Sequence, residues 1–195
     1  VTMFYGGLVS KRLVALLQAE GVNALGLTGA DMDVIRSHKR PLKKMTLDDG
    51  TQQMVDFGWV GDVDRADGAR LHSLVESGVV PVMAPLTHDG EGHILNTNAD
   101  TIAQTVATAL APYYDVTLTY CFEKPGVLRD ANDNSSVIAR ITPDDFQRYL
   151  ADGTISGGMV PKLENAFQAI DSGVGQVLIT QASDLACANG TTICK

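Results

Sequence analysis

Apolar and polar positions alternate along this chain in short blocks whose period keeps changing. Leu8, Val14, Leu16 and Leu17 recur at near-helical spacing through Gln18, and Gly21 is a natural stop, so the chain opens on a helix. Residues 22–27 read as a short buried strand that ends in the loop Thr28-Gly29-Ala30-Asp31. Residues 34–63 mix basic residues, an Asp48-Asp49-Gly50 turn and alternating segments, which fits a β-hairpin excursion. Residues 66–77 form an amphipathic helix closed by Gly78, and residues 79–84 are an apolar run suited to a parallel strand.

After a polar turn over residues 88–92, residues 100–111 read as a helix with Asp100 near its N-terminus, and Pro112 marks a lobe boundary. Residues 116–122 are the next strand, followed by a polar loop to Ser136. Thr142-Pro143-Asp144-Asp145 opens a helix with proline in its first turn. Residues 160–170 give another helix, residues 177–180 a strand and residues 191–194 a last strand. Strands alternating with helices predict an α/β fold: a three-layer αβα sandwich around a mainly parallel central sheet. Ligands of such sheets bind beyond the carboxyl ends of the strands. The loop at Thr28, the region 86–98 and the loop 123–126 all fall there.

Composition narrows the classes. The chain has 195 residues, enough for one good core or two small lobes. At 45% hydrophobic and 19% charged it has the make-up of a soluble globular protein, and no apolar run approaches the roughly 18 residues of a membrane span. A net charge of −8 argues against a general nucleic-acid binder. Cys121, Cys187 and Cys194 are an odd set without metal-ligand spacing and read as reduced thiols of a cytoplasmic protein. His38, His72, His88 and His93 show no ligand spacing, so no metal site is assigned. The basic run Arg36, Lys39, Arg40, Lys43 and Lys44 has two readings, a solvated hairpin face or a feature that attracts anionic substrates. Trp59 and Tyr113-Tyr114 read as packing or interface residues.

Two segments carry candidate chemistry. Asn96, Asn98 and Asp100 lie just before a helix, where Asn and Asp cap free backbone amides. Three such residues in five exceed the needs of one cap, so ligand binding by Asn96 and catalytic support by Asp100 stand beside capping. Gly157-Gly158 precede the helix that bears Lys162, and their amides can approach a phosphate. The plain alternative is a turn followed by a solvated lysine.

Leu95-Asn96-Thr97-Asn98-Ala99-Asp100, Pro81-Val82-Met83-Ala84-Pro85, Pro125-Gly126-Val127-Leu128-Arg129-Asp130 and Ile155-Ser156-Gly157-Gly158-Met159-Val160-Pro161-Lys162 together resemble the motifs of the amino acid kinase family, and within it those of the N-acetylglutamate kinases. The order and spacing match along essentially the whole chain. The resemblance implies phosphorylation of the γ-carboxylate of an N-acylglutamate by ATP, with Mg2+ brought by the nucleotide, in arginine biosynthesis. It implies Lys162 as the residue that stabilises the phosphoryl group in transit, Asp100 as the carboxylate that orients it, and Asn96 with Asn98 as substrate contacts. Glu123, Gly126, Gly157 and Gly158 would bind the nucleotide, and Gly29 with Asp31 would form a loop near the phosphates. Residues 1–111 would be the rest of an acylglutamate-binding lobe and residues 112–195 a nucleotide-binding lobe. A homodimer or higher homo-oligomer is implied, with no nucleic-acid or membrane partner.

Three departures from the family pattern stand out. Phe122-Glu123-Lys124-Pro125-Gly126 replaces the common Thr-Asp-Val-x-Gly, and Phe122 cannot do the work of a hydroxyl. Met32 stands where a glycine often follows the Asp. Family members begin with a strand carrying a second catalytic lysine, a glycine-rich loop and a substrate-gripping arginine; none precedes Val1, so about a quarter of an ordinary member, including its N-terminal strands, is expected to be missing. The 195-residue piece alone is expected to be poorly stable and inactive. A regulatory module of the same fold, or a relative that phosphorylates aspartate, glutamate or uridylate, are the competing functional readings. The acyl group and any inhibition by arginine are not legible.

Overall fold

In the computed structural model, residues 1–46, 50–187 and 189–195 are described, with the last two of the middle stretch described by backbone alone. The turn expected at Asp48-Asp49 and the side chain of Cys187 lie outside the described residues. The chain divides into two compact units, Val1–Ile102 and Ala103–Lys195.

In the first unit, a π-helical stretch Met3–Val9 runs into α1 (Ser10–Ala19), the helix that the leucine spacing predicts. Strand β1 (Ala24–Leu27) pairs in parallel with β6 (Val80–Met83), Ala24 lying opposite Val80 and Leu27 opposite Met83. Parallel strands need a long crossover. Here it holds β2 (Ile35–Lys39), the hairpin β3 (Lys43–Thr46) and β4 (Gln52–Val55), β5 (Gly61–Ala66) and α2 (Gly68–Glu76). Asp67 caps α2 by accepting from the Arg70 amide at 3.0 Å.

Two further strands, β7 (Leu86–His88) and β8 (Ile94–Asn96), form a hairpin where the sequence shows only a polar turn. They complete a mixed sheet in the order β5-β2-β7-β8. Its centre is sealed by a buried hydroxyl pair, Thr87 Oγ1 and Thr97 Oγ1 at 2.8 Å. Both press on the backbone of Gly61, where an added Cβ would lie 2.8 Å from Leu95 Cβ and 2.9 Å from each hydroxyl.

The loop between β1 and β2 is tightly wound. Met32 and Asp33 both hold positive φ, 54° and 53°, in a region that costs an L-residue about 1–2 kcal/mol. This accounts for the glycine usual at the position of Met32, since glycine takes that conformation freely. Met32→Gly is expected to raise stability by about 0.5–1 kcal/mol, glycine's larger unfolded-state freedom offsetting part of the relief. Denaturant midpoints of the two proteins check this, and an unchanged or lower midpoint for the variant would refute it.

In the second unit, β9 (Thr117–Phe122), β10 (Arg140–Ile141), β11 (Gln176–Gln181) and β12 (Thr191–Ile193) form a sheet in the order β10-β12-β11-β9. The pairs β9–β11 and β10–β12 are parallel, and β11–β12 is antiparallel. Val177, Leu178, Ile179 and Thr180 are all buried, as befits a central strand covered on both faces. Helix α4 (Pro143–Ala151) starts with a full capping box, Thr142 and Asp145 bonding reciprocally, with Pro143 in the first turn. Helix α5 (Met159–Asp171) buries Leu163, Ala166, Ala169 and Ile170 along one stripe. Covering Leu163 completely stabilises the unit by about 2–3 kcal/mol. Parallel strand pairs, joined through helices and flanked by antiparallel strands, make the chain an α/β protein.

Candidate functional site

The first unit presents Asn96 at the exposed end of β8. Its amide donates to the Trp59 carbonyl at 2.7 Å, and the Thr97 amide donates to Pro85 O at 3.0 Å, so the backbone beneath Asn96 is fixed from both sides. Beside it lies a cavity of about 330 Å³ walled by Phe57, Trp59, Val60, Leu86 and Ile94. One polar amide at the mouth of an apolar hollow is a common arrangement for holding a small polar ligand with an apolar tail. Trp59 reads from the sequence as a packing or interface residue, and Phe57 goes unnoticed there. Two aromatics flanking Gly58 just before a strand were the available signal.

Asn98 behaves as a cap. Its Oδ1 accepts from the Asp100 amide at 2.8 Å and the Thr101 amide at 3.3 Å, which starts helix α3 (Ala99–Leu110). Asp100, half-buried, is the second residue of that helix. A carboxylate is favoured there by the unpaired amides and the positive end of the helix dipole.

Gly29 and Asp31 sit in the wound loop, where both are already engaged. The Gly29 amide donates to Leu86 O at 2.7 Å, and an added Cβ would lie 2.7 Å from Ile35 O. This glycine permits a close crossing of backbones and has no amide to offer a phosphate. Asp31 Oδ2 accepts from the Thr28 amide and hydroxyl at 2.7 and 2.8 Å, closing its own turn. Next to it Asp33 is a charge hub, bonded to Arg36, Arg65 and His88. Burial would raise its carboxyl, but these hydrogen bonds and the Arg36 charge outweigh that and hold it at about 2.

Three of the five cations in the basic run, Arg36, Lys39 and Arg40, are ion-paired. Lys39 pairs with Asp56 at 3.3 Å, Arg40 with Asp62 at 2.6 Å and Arg36 with Asp33 at 3.0 Å, while His38 meets Asp64 at 2.6 Å. Asp33 comes from the loop before β2 and the other acids from β5 and its approach, so the charges of β2 are largely neutralised. One cluster escaped the histidine spacing. Ligand atoms of Asp89, Glu91 and His93 lie within 4.8 Å of one another. Asp89 closes this turn, accepting from the Glu91 amide at 2.7 Å and meeting His93 Nδ1 at 2.7 Å. The Glu91 amide bond foremost, assisted by the bonds from His93 and working against burial, holds the Asp89 carboxyl at about 2.

In the second unit, Gly157 and Gly158 precede α5, exposed, with nothing within 4 Å of where a Cβ would stand. Gly157 has φ of 57°, so glycine is required there by conformation. Unlike α2, α3 and α4, helix α5 has no side-chain cap and no acid in its first turn. The Met159 and Val160 amides bond back to Ser156 O and Gly157 O at 3.3 Å and Pro161 has none, so an external anion would meet the exposed glycine backbone and the positive end of the dipole rather than open helix amides. Lys162 rises from this first turn, half-buried, with Nζ 3.8 Å from the centroid of the Phe122 ring.

A pocket of about 160 Å³ adjoins this helix start, lined by Lys124, Gly126, Leu128, Ala131, Ser156 and Met159. Gly126 is buried against Thr191, whose Oγ1 would lie 2.8 Å from an added Cβ and accepts from the Val127 amide at 2.8 Å. Glu123 is exposed directly after β9. Among the described residues no helix is long and apolar enough to cross a membrane.

The family model described as "Amino acid kinase family" matches residues 2–181. The chain is 62% identical over 195 residues to an acetylglutamate kinase of Bacteroides fragilis, covering all of this chain and 71% of that protein. It is 42% identical over 193 residues to an acetylglutamate kinase of Methanopyrus kandleri, covering 99% of this chain and 75% of that protein. Among solved structures, smu.665 from Streptococcus mutans superposes with a TM-score of 0.74 at 32% identity, over 99% of this chain and 69% of that one. A Giardia carbamate kinase shares the fold at 16% identity with a TM-score of 0.65, over 99% of this chain and 70% of that one. A helix led by two glycines and bearing a lysine in its first turn, set in this α/β frame and matched by the family model over nearly all its length, places the chain in the amino acid kinase family.

Proposed function

We propose that this protein is an acetylglutamate kinase, transferring the γ-phosphoryl group of ATP to the γ-carboxylate of N-acetyl-L-glutamate or another N-acylglutamate in arginine biosynthesis. The observation that carries the reading is 62% identity to an acetylglutamate kinase over all 195 residues. The geometry supplies suitable groups. A glutamate carboxylate is ionised at neutral pH, so the reaction needs no general base. A carboxylate oxygen forms the new bond to phosphorus as the bond to the β-phosphate oxygen breaks, and ADP departs with the electron pair. Catalysis then rests on alignment and on neutralising charge that moves between oxygens.

Each residue takes a role from its setting. The backbone of Gly157 and Gly158, at the positive end of α5, receives the phosphates, and Lys162 neutralises the transferring group and the departing ADP. The 160 Å³ pocket lies below the roughly 300 Å³ of a typical ligand site, so it takes the base and leaves the phosphates outside, toward Ser156 and Gly157. Glu123 accepts from the ribose. Mg2+ enters with the nucleotide and screens its phosphate charge. Asn96 orients the acylglutamate, whose acyl group enters the cavity between Trp59 and Ile94. Asp100 supplies a carboxylate to steady a catalytic ammonium, and Asn98 keeps α3 in register beneath it. Gly29 and Asp31 shape their own loop. Residues 1–111 serve the acylglutamate and residues 112–195 the nucleotide, in a cytoplasmic homodimer or higher oligomer. Met3, Phe4, Leu8, Leu13 and Leu16, exposed on the first helical segment, offer an apolar face for such assembly.

An ADP-release assay on the full-length protein with ATP and Mg2+ tests the reading. ADP is expected with N-acetylglutamate or N-succinylglutamate and not with aspartate, glutamate or uridylate. Turnover confined to the latter three would overturn it.

A further inference from the structure

We propose that His93 is a positioning residue for acyl recognition: its imidazole stacks on Trp59 and fixes the indole as a wall of the cavity beside Asn96. The inference rests on the placement of the acyl group in that cavity, made above. His93 stands one residue before β8 and acts on the hollow through Trp59, which lines it together with Ile94. The imidazole and indole centroids lie 4.6 Å apart with planes inclined by 20°, the close and nearly parallel arrangement of a stacked pair.

The imidazole is held in turn. Asp89 Oδ2 meets its Nδ1 at 2.7 Å, while Asp89 Oδ1 accepts from the amides of Glu91 at 2.7 Å and His93 at 3.2 Å. With its carboxyl held at about 2, Asp89 is ionised at neutral pH and can only accept, so Nδ1 carries the proton. That bond sets the tautomer and the tilt of the ring, and it removes Nδ1 from metal ligation. The segment that bears the indole is tied as well. Asp56 accepts from the Gly58 amide at 2.8 Å and from Lys39 Nζ at 3.3 Å, and Lys39 Nζ lies 5.5 Å from the indole centroid, within reach of a ring face.

Trp59 needs such support. It is 54% exposed, so burial alone does not settle where the large ring lies. A wall free to change rotamer would have to be ordered each time a substrate entered, and that cost would weaken binding. A wall held by its neighbours also sorts acyl groups by size, because an added methylene must find room and cannot push the ring aside.

The test uses the full-length protein and the ADP-release assay, with N-acetyl-, N-propionyl- and N-butyrylglutamate as acceptors. His93→Ala is expected to raise KM for N-acetylglutamate by about 3- to 10-fold, equivalent to about 0.6–1.4 kcal/mol at 1.36 kcal/mol per tenfold. Both kcat and KM for ATP should change less than about twofold, because the acyl group lies at the opposite end of the substrate from the reacting γ-carboxylate. The spread of kcat/KM across the three acceptors should shrink by about threefold or more. His93→Phe, which keeps a ring to stack, should recover most of both losses. In a Trp59→Ala background His93→Ala should have no further effect. The fluorescence of Trp59, isolated by difference from Trp59→Phe, reports the indole directly: its anisotropy should fall in His93→Ala and return in His93→Phe. If His93→Ala lowers the melting temperature, His93→Gln takes its place.

Failure of the positioning role and failure of the underlying reading look different. If the unaltered protein turns over acylglutamates while His93→Ala keeps KM and acyl preference within about twofold, His93 does not set the wall. An equal rise in KM with and without Trp59, or Trp59 anisotropy that His93→Ala leaves unchanged, also overturns the proposal. Should Trp59→Ala leave KM for all three acylglutamates unaltered, the placement of the acyl group falls and the role of His93 falls with it.

Discussion

Lys162→Ala is expected to lower kcat by about 100- to 1,000-fold, the loss typical when one preorganised charge-stabilising donor is removed from a polar transition state. The fold should survive. Lys162 is half-buried on the first turn of α5, while the stripe that anchors the helix runs through Leu163, Ala166 and Ile170. KM for ATP should move little, since the Gly157-Gly158 backbone at the positive end of the helix still receives the phosphates. Lys162→Arg is the informative companion. It keeps the charge but replaces a compact ammonium with a broad planar fork, and should recover only part of the rate. A melting temperature close to that of the unaltered protein, together with kcat within tenfold of it in Lys162→Ala, would remove this lysine from the chemistry.

Asn96→Ala should act on the other substrate. Losing a hydrogen-bonding amide that orients a charged ligand costs about 1.5–3 kcal/mol, or roughly 10- to 100-fold in kcat/KM for the acylglutamate. KM for ATP should be unaffected. Backbone damage is not expected, because the amide that bonds Trp59 O belongs to the main chain and persists in alanine. Steady-state kinetics with each substrate varied in turn separate the two effects. A larger change in KM for ATP than in KM for acylglutamate would move Asn96 out of the acylglutamate site.

Long periodic elements were legible from residue pattern alone. Helices α1, α2, α4 and α5 follow from apolar spacing, and α4 also from the Thr142-Pro143 start. Strands β1, β6, β9 and β11 follow from apolar runs between turn residues. The β7–β8 hairpin was not legible. Each strand has three residues, too few for alternation to stand out, and they are held by a hydroxyl pair ten residues apart. Asn98 was readable as a cap, but nothing local distinguishes an Asn that starts a helix from one that meets a ligand.

The same limit governs charge and rings. The basic run between Arg36 and Lys44 reads as a positive feature until β5 brings Asp62 and Asp64 beside it, and only pairing across strands supplies those partners. Phe122 reads as a lost hydroxyl until α5 carries Lys162 over it from forty residues away. No spacing rule encodes such a contact. Trp59 likewise becomes a cavity wall only once the β7–β8 hairpin stands opposite it.

Lys162 is immediately followed by Leu163, whose side chain is wholly enclosed, and two alanines further on let α5 lie close against its neighbours. The root of the lysine arm is therefore mortised into solid protein, and only its rotatable bonds remain to be settled. Warming within the folded range will change how often the amine is in position rather than where its base stands. Tuning of this enzyme by inherited change should accordingly fall on groups that brush the arm's tip, while the enclosed residues at its root stay as they are.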